Sequence, residues 1–214
     1  SLKPEEHEDL LKLLSYFTNV KTVELSENNI ILSDSDMVPF FTLLFDMHPT
    51  INNFIFCRNR LLPENPQDSD FENLEECFKL MRNLKCLDLS ATFSGNEEVD
   101  TIDILTTVFN GSKLECFILD SNSIEEEGIL ELLEKFSDSL SSNIRRLSVV
   151  DNFIPDDPDD YYEKIFELLS TCFVLSSFNC ETFNPDEEPD IYIPSSKLVK
   201  KINETFDDNG GNLS

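Results

Sequence analysis

The chain has 214 residues, and 40% hydrophobic content is enough to fill a continuous core in one domain or a small solenoid, which excludes disorder as a description of the whole. Its 43 acidic against 16 basic residues give a formal charge of -27, which repels phosphate backbones and anionic lipid and favours cationic protein partners. Nucleic acid is therefore not an expected partner. Neither is a membrane, since no apolar run approaches the roughly 18 residues needed to cross one and residues 1–9 are too polar for a signal peptide.

In chain order, Pro4 stands ahead of Leu10, Leu11, Leu13, Leu14 and Phe17, a spacing that predicts a helix over 5–17 inside an N-terminal element of residues 1–19. Val20, Val23, Leu25, Asn28 and Ile30 follow. Ser33, Asp34, Ser35 and Asp36 offer N-caps for a helix that runs to Met47 and ends at His48-Pro49. The pattern then returns as Ile51, Phe54, Phe56, Asn59 and Leu61, with Pro63 and Pro66 holding an extended connection to a helix over 70–82. Leu84, Leu87 and Leu89 come next, with Thr92 where Asn is expected, an irregular loop over 92–96 and a helix over 98–110. Leu114, Phe117, Leu119, Asn122 and Ile124 lead into a helical run over 129–140. Ile144, Leu147, Val149, Asn152 and Ile154 lead through an acidic, proline-containing loop into a helix over 161–172. Leu175, Phe178, Cys180 and Phe183 close the series ahead of a proline- and acid-rich loop, a closing helix over 195–206 and a tail over 207–214 that reads as disordered.

The six segments begin at residues 20, 51, 84, 114, 144 and 175, a period of 30 to 33 that chance apolar runs do not keep. Apolar residues at the first, fourth, sixth and eleventh places with Asn at the ninth form the leucine-rich-repeat template. The fold class expected is an α/β leucine-rich-repeat solenoid, a horseshoe of about six repeats filling residues 1–206 as a single domain. Its parallel strands line the concave face and its helices the convex face. Strands are expected to centre on Leu25, Phe56, Leu89, Leu119, Val149 and Cys180. Asn28, Asn59, Asn122 and Asn152 serve the turns, whose backbone groups no regular ladder satisfies.

Residues between the buried ones point to the concave face. One column runs Thr22, Asn53, Cys86, Cys116, Arg146, Ser177, the next Glu24, Ile55, Asp88, Ile118, Ser148, Asn179, and the third Ser26, Cys57, Ser90, Asp120, Val150, Glu181. More than half of the 43 acids fall in the connections from strand to helix or in first helical turns. Some of them complement helix dipoles, but dipoles do not require so many, and an acidic docking rim is the expectation. The partner-binding candidates are Glu24, Asp88 and Asp120 on the face, with Arg58, Arg60, Glu125, Glu126, Glu127 and Asp151 on the rim. Arg58 and Arg60 are the exceptions in sign, placed either to pair with those acids or to meet a partner's anion.

Catalytic and metal motifs are lacking, with only five glycines and two histidines, so no catalytic residue, metal or cofactor is expected. Six cysteines without a Cys-x-x-Cys pair fall at repeat-related places, which favours reduced thiols in an intracellular protein, cytoplasmic or nuclear. A monomer is expected.

Repeats of this length with a full helix resemble the ribonuclease-inhibitor class of leucine-rich repeats. Within it, Lys21-Thr22-Val23-Glu24-Leu25-Ser26-Glu27-Asn28-Asn29 and Phe54-Ile55-Phe56-Cys57-Arg58-Asn59-Arg60-Leu61 are similar to segments of the Ran GTPase-activating proteins. The resemblance implies a small GTPase of the Ran type as partner. It also implies an activating arginine in an N-terminal repeat, at or slightly ahead of Ser1, and this chain has no arginine before Arg58. The expectation is a binding module that is not a self-contained enzyme, and a GTPase activator only if further repeats precede Ser1. The alternative partner is a basic protein, such as a histone or ribosomal protein, with no GTPase link.

Overall fold

Six three-residue strands alternate with helices in a computed structural model of the chain, which describes residues 4–93, 98–137, 143–152, 158–171 and 177–179. The strands β1 (Thr22–Glu24), β2 (Asn53–Ile55), β3 (Cys86–Asp88), β4 (Cys116–Ile118), β5 (Arg146–Ser148) and β6 (Ser177–Asn179) form one parallel sheet in sequence order. The helices are α1 (Pro4–Leu14), α2 (Met37–Met47), α3 (Asp68–Leu80), α4 (Glu98–Phe109), α5 (Glu126–Ser137) and α6 (Pro158–Thr171). Because each strand pairs only with the next, the fold is an α/β solenoid of six units. The closing helix expected over 195–206 and the tail over 207–214 lie outside the described residues.

The first two expected columns are the observed register, and the third falls beyond the strand ends, with Glu181 outside the described residues. Thr22 pairs with Asn53, Asn53 with Cys86, Cys86 with Cys116, Cys116 with Arg146 and Arg146 with Ser177. The middle residues Val23, Phe54, Leu87, Phe117 and Leu147 are buried, as period-2 alternation requires.

The strand centres expected at Leu25, Phe56, Leu89, Leu119 and Val149 are displaced. The strands centre two residues earlier, on Val23, Phe54, Leu87, Phe117 and Leu147. Cys180 lies outside the described residues. The cause is the turn that follows. The Leu25 N–H still reaches the Ile55 carbonyl at 2.8 Å and the Leu119 N–H the Ser148 carbonyl at 2.8 Å. Two residues later Glu27, Arg58, Ala91, Ser121 and Asp151 take left-handed backbone, at φ of 61, 53, 52, 56 and 55°, and the chain leaves the ladder.

None of these five positions is glycine, although a side chain costs about 1–2 kcal/mol in that region. Ala91 has no polar side chain to offset it. Ala91→Gly is expected to raise stability by about 0.5 kcal/mol after the glycine's extra chain entropy is counted. Ala91→Val, β-branched at the same φ, is expected to lower it by more than about 1 kcal/mol. Urea midpoints of the two variants check the opposite signs.

Four helices differ from their expected bounds by two residues or more, the sixth by starting at Pro158 instead of residue 161. The first ends at Leu14, short of residue 17, because the Tyr16 and Phe17 N–H groups fall back on the Leu13 and Leu14 carbonyls at 3.2 and 2.9 Å and close a tighter turn. The third starts at Asp68, two residues early, because Asp70 accepts the Gln67 N–H at 2.8 Å as half of a capping box, and it passes into a 3₁₀ turn at Met81–Asn83. The fifth starts at Glu126, taking Glu126 and Glu127 into its first turn, where carboxylates complement the dipole.

Between sheet and helices the core is aromatic. Phe41 of α2 meets Phe54 of β2 with ring centres 5.4 Å apart, and Phe54 meets Phe56 at 5.8 Å. A second series runs from Phe78 to Phe109 at 5.6 Å, from Phe109 to Phe117 at 5.8 Å and from Phe117 to Phe136 at 6.0 Å, crossing three units.

The turn asparagines reach back to the preceding unit. Asn59 donates from Nδ2 to the Leu25 carbonyl at 2.7 Å, while its Oδ1 accepts the Asn28 and Ile30 N–H groups at 3.1 and 3.0 Å. Asn122 donates to the Leu89 carbonyl at 3.0 Å and accepts from Thr92 and Phe93 at 2.7 and 3.0 Å. Asn152 donates to the Leu119 carbonyl at 3.0 Å and accepts from Asn122 and Ile124, both at 3.0 Å. Thr92 lacks the second arm. Its hydroxyl donates to the Leu89 carbonyl of its own unit at 2.6 Å, and only its main-chain carbonyl serves the preceding unit, accepting the Leu61 N–H at 3.2 Å.

Candidate protein-interaction face

The concave sheet face is built by residues that alternate away from the core, so its chemistry follows the three columns. Asn53 donates to the Thr22 hydroxyl at 3.1 Å along the first column, where Cys86, Cys116 and Arg146 succeed one another on β3, β4 and β5. Cys86 and Cys116 are half-buried, and Arg146 is exposed. The hydrogen bond between Cys86 and Cys116, with help from the Arg146 guanidinium and against burial, lowers Cys116 to about 7. The same bond, followed by burial, raises Cys86.

Asp88, in the second column, is occupied internally. One of its oxygens accepts the Ser90 hydroxyl at 2.6 Å and the Ser90 N–H at 3.0 Å. Burial first, and then the Asp88 carboxylate, raise the Cys57 thiol of the third column. Burial pushes Cys77, on α3, up to about 12. Cys57, Cys77, Cys86 and Cys116 are all free thiols.

The nine candidates do not form one cluster. Glu24 is exposed on β1 and Asp88 half-buried on β3. Asp120 accepts the Val150 N–H at 2.9 Å, stitching the fourth turn to the fifth. Asp151 is exposed and accepts the Ser121 hydroxyl at 2.9 Å. Arg58 pairs with Glu27 of the preceding turn at 2.6 Å, and Arg60 with Glu64 at 3.3 Å, so both arginines of the rim are matched within the chain. These pairs are exposed and each stabilises by roughly 0–1 kcal/mol. Glu125 and Glu127 are exposed where α5 begins, and Glu126 reaches Lys164 of α6 at 2.9 Å.

A groove of about 720 Å³ between α5 and α6 was not anticipated. Leu130 and Leu168 contribute its apolar lining, and Glu127, Glu131, Glu134 and Glu167 outnumber Lys135 and Lys164 there. Half of it was readable, since Glu127, Glu131 and Glu134 recur at helical spacing. Its other wall depends on how α6 packs. Among the described residues no three His, Cys, Asp or Glu side chains could hold a metal ion, and no helix is long and apolar enough to cross a membrane.

No protein-family model matches the chain, and no curated protein matches it significantly. Seven chains of solved structures do. Among them is the tropomodulin C-terminal domain of Caenorhabditis elegans, similar over 96% of this chain and 93% of that one, at 14% identity and a TM-score of 0.48.

Proposed function

We propose that the chain is a protein-interaction module that takes a cationic partner across its concave face and acidic rim. The observation that carries this reading is the pairing of both rim arginines with Glu27 and Glu64, which leaves exposed acids such as Glu127 and Asp151 to set the sign of the rim, with Glu24 exposed on the face. Such a field steers association and selects the sign of the partner more than it sets raw affinity. A basic protein is the partner class that fits.

The resemblance to Ran GTPase-activating proteins supplies the second candidate, a small GTPase. On this reading the chain binds without activating, because the resemblance puts the activating arginine, worth about 10³–10⁵ in rate, in an N-terminal repeat, and no arginine of this sequence precedes Arg58.

Anisotropy titrations of a labelled histone and of a Ran-type GTPase, repeated across salt concentrations, test both. The bound partner is expected to be lost steeply above about 0.1 M salt, where exposed charges further apart than about 10 Å are screened. Replacing Glu125, Glu126 and Glu127 together by Gln is expected to slow association several-fold with little change in dissociation. Affinity indifferent to both would overturn the docking rim. Single-turnover GTP hydrolysis is expected to stay at its intrinsic rate with the chain in excess. An acceleration lost in Arg58→Ala or Arg60→Ala would show an activator instead.

A further inference from the structure

We infer that Cys116 and Cys86 are a reactive dithiol on the concave face, a modification site for low-molecular-weight disulfides that closes into a covalent bond between β3 and β4. The geometry rests on register. Cys86 and Cys116 are direct partners on neighbouring parallel strands and belong to the same outward-facing column. Parallel neighbours lie about 4.8 Å apart, inside the roughly 4.4–6.8 Å window of Cα separations that a disulfide accepts. Both are half-buried, so a small molecule can reach them while solvent is partly excluded.

The two thiols are not equivalent. Cys116 is faced by the Cys86 thiol and the Asp88 carboxylate from β3 and by the Arg146 guanidinium from β5, and the hydrogen bond to Cys86 and the cation outweigh burial and the anion. Arg146 is the register partner of Cys116 on β5 and stands one strand further from Cys86, so the cation favours the thiolate on Cys116, while burial and then Asp88 raise Cys57. Cys116 is the attacking sulfur and Cys86 the resolving one.

The reaction balances with a disulfide such as oxidised glutathione as the oxidant. The Cys116 thiolate attacks one sulfur of glutathione disulfide, a mixed disulfide forms at Cys116, and one glutathione thiolate leaves. That thiolate, or water, removes the Cys86 proton. The Cys86 thiolate then attacks the Cys116 sulfur and expels the second glutathione. Two protein thiols are oxidised to one disulfide, and one small disulfide is reduced to two thiols. The second step is intramolecular, so the mixed disulfide does not accumulate.

The test treats the full native chain with glutathione disulfide and follows each cysteine by peptide mass spectrometry against pH. The expected product at Cys86 and Cys116 is a crosslink lacking two hydrogens. Cys116 is expected to be consumed about tenfold faster than Cys57 at pH 7.5, since the higher thiolate fraction outweighs the lower nucleophilicity of a more acidic thiol. Its rate is expected to level off above about pH 7, where an ordinary thiol keeps rising toward about 8.5. In Cys86→Ala the glutathione adduct at Cys116 is expected to persist, and the inflection to move upward because the donor is gone. Arg146→Gln is expected to move it the same way with the crosslink retained. A mixed disulfide at Cys116 that persists in the unaltered chain would overturn the pairing. A rate at Cys116 that still climbs at pH 9, or Cys57 reacting first, would overturn the assignment of the nucleophile.

Discussion

Asn122→Ala is expected to lower the free energy of unfolding by about 3 kcal/mol, a large share of the roughly 5–15 kcal/mol that holds a domain of this kind together. The amide serves three main-chain groups of the preceding unit, and alanine leaves the Thr92 and Phe93 N–H groups without it at a cost of about 1–3 kcal/mol each where they are buried. The Leu89 carbonyl is protected, because the Thr92 hydroxyl also donates to it. Asn28→Ala is the internal comparison. Asn28 is exposed, and its amide donates to the Leu25 and Ser26 carbonyls of its own turn, the first of which Asn59 also serves. A loss below about 1 kcal/mol is expected there. Urea titrations of the two variants separate them, and equal losses would mean that the reach-back bonds contribute little.

Phe117→Ala is expected to cost about 3–5 kcal/mol, the range for truncating a fully buried aromatic ring. Phe117 has no exposed surface and touches Phe109 at 5.8 Å and Phe136 at 6.0 Å, so its removal opens a cavity between two helices and the sheet at once. The lost ring pairs add about 0.5–1.5 kcal/mol each. Phe45→Ala, at the half-buried margin of α2 where the ring stacks on Phe41 at 6.1 Å, is expected to cost far less. Denaturant midpoints for the two variants measure the contrast.

The period from Val20 to Leu175 announces the repeat architecture because each unit must bury the same strand and helix against its neighbour, and stacking then fixes the columns. Pairing of Cys86 with Cys116 follows from that arithmetic alone. The two-residue displacement of the strands does not, because buried Leu25 and Leu119 look like strand residues until the left-handed turn beyond them is known. Of the candidate site, the positions of Glu24 and Asp88 on the strands were legible from period and alternation, whereas Asp120 falls past the end of β4, in the turn. The commitments of Arg58 to Glu27 and of Asp88 to Ser90 were not, since they depend on side-chain reach across or along the turn. The α5–α6 groove was half visible for the same reason, one wall being a helix face and the other a packing result.

Thr92 makes the array mechanically uneven. Elsewhere among the described turns an asparagine amide clamps each unit to the one before it, through Asn59, Asn122 and Asn152. Between the second and third units the clamp is replaced by a single carbonyl at 3.2 Å. In a fold where each unit touches only its neighbours, a tear needs to break just one interface. A pull along the array finds its softest seam here, and the chain would part into a short N-terminal block around Phe41, Phe54 and Phe78 and a longer one around Phe109, Phe117 and Phe136, with the Phe78–Phe109 ring contact the aromatic pair lost across the seam. The break in the repeat pattern at Thr92 therefore marks the interface expected to open first under load.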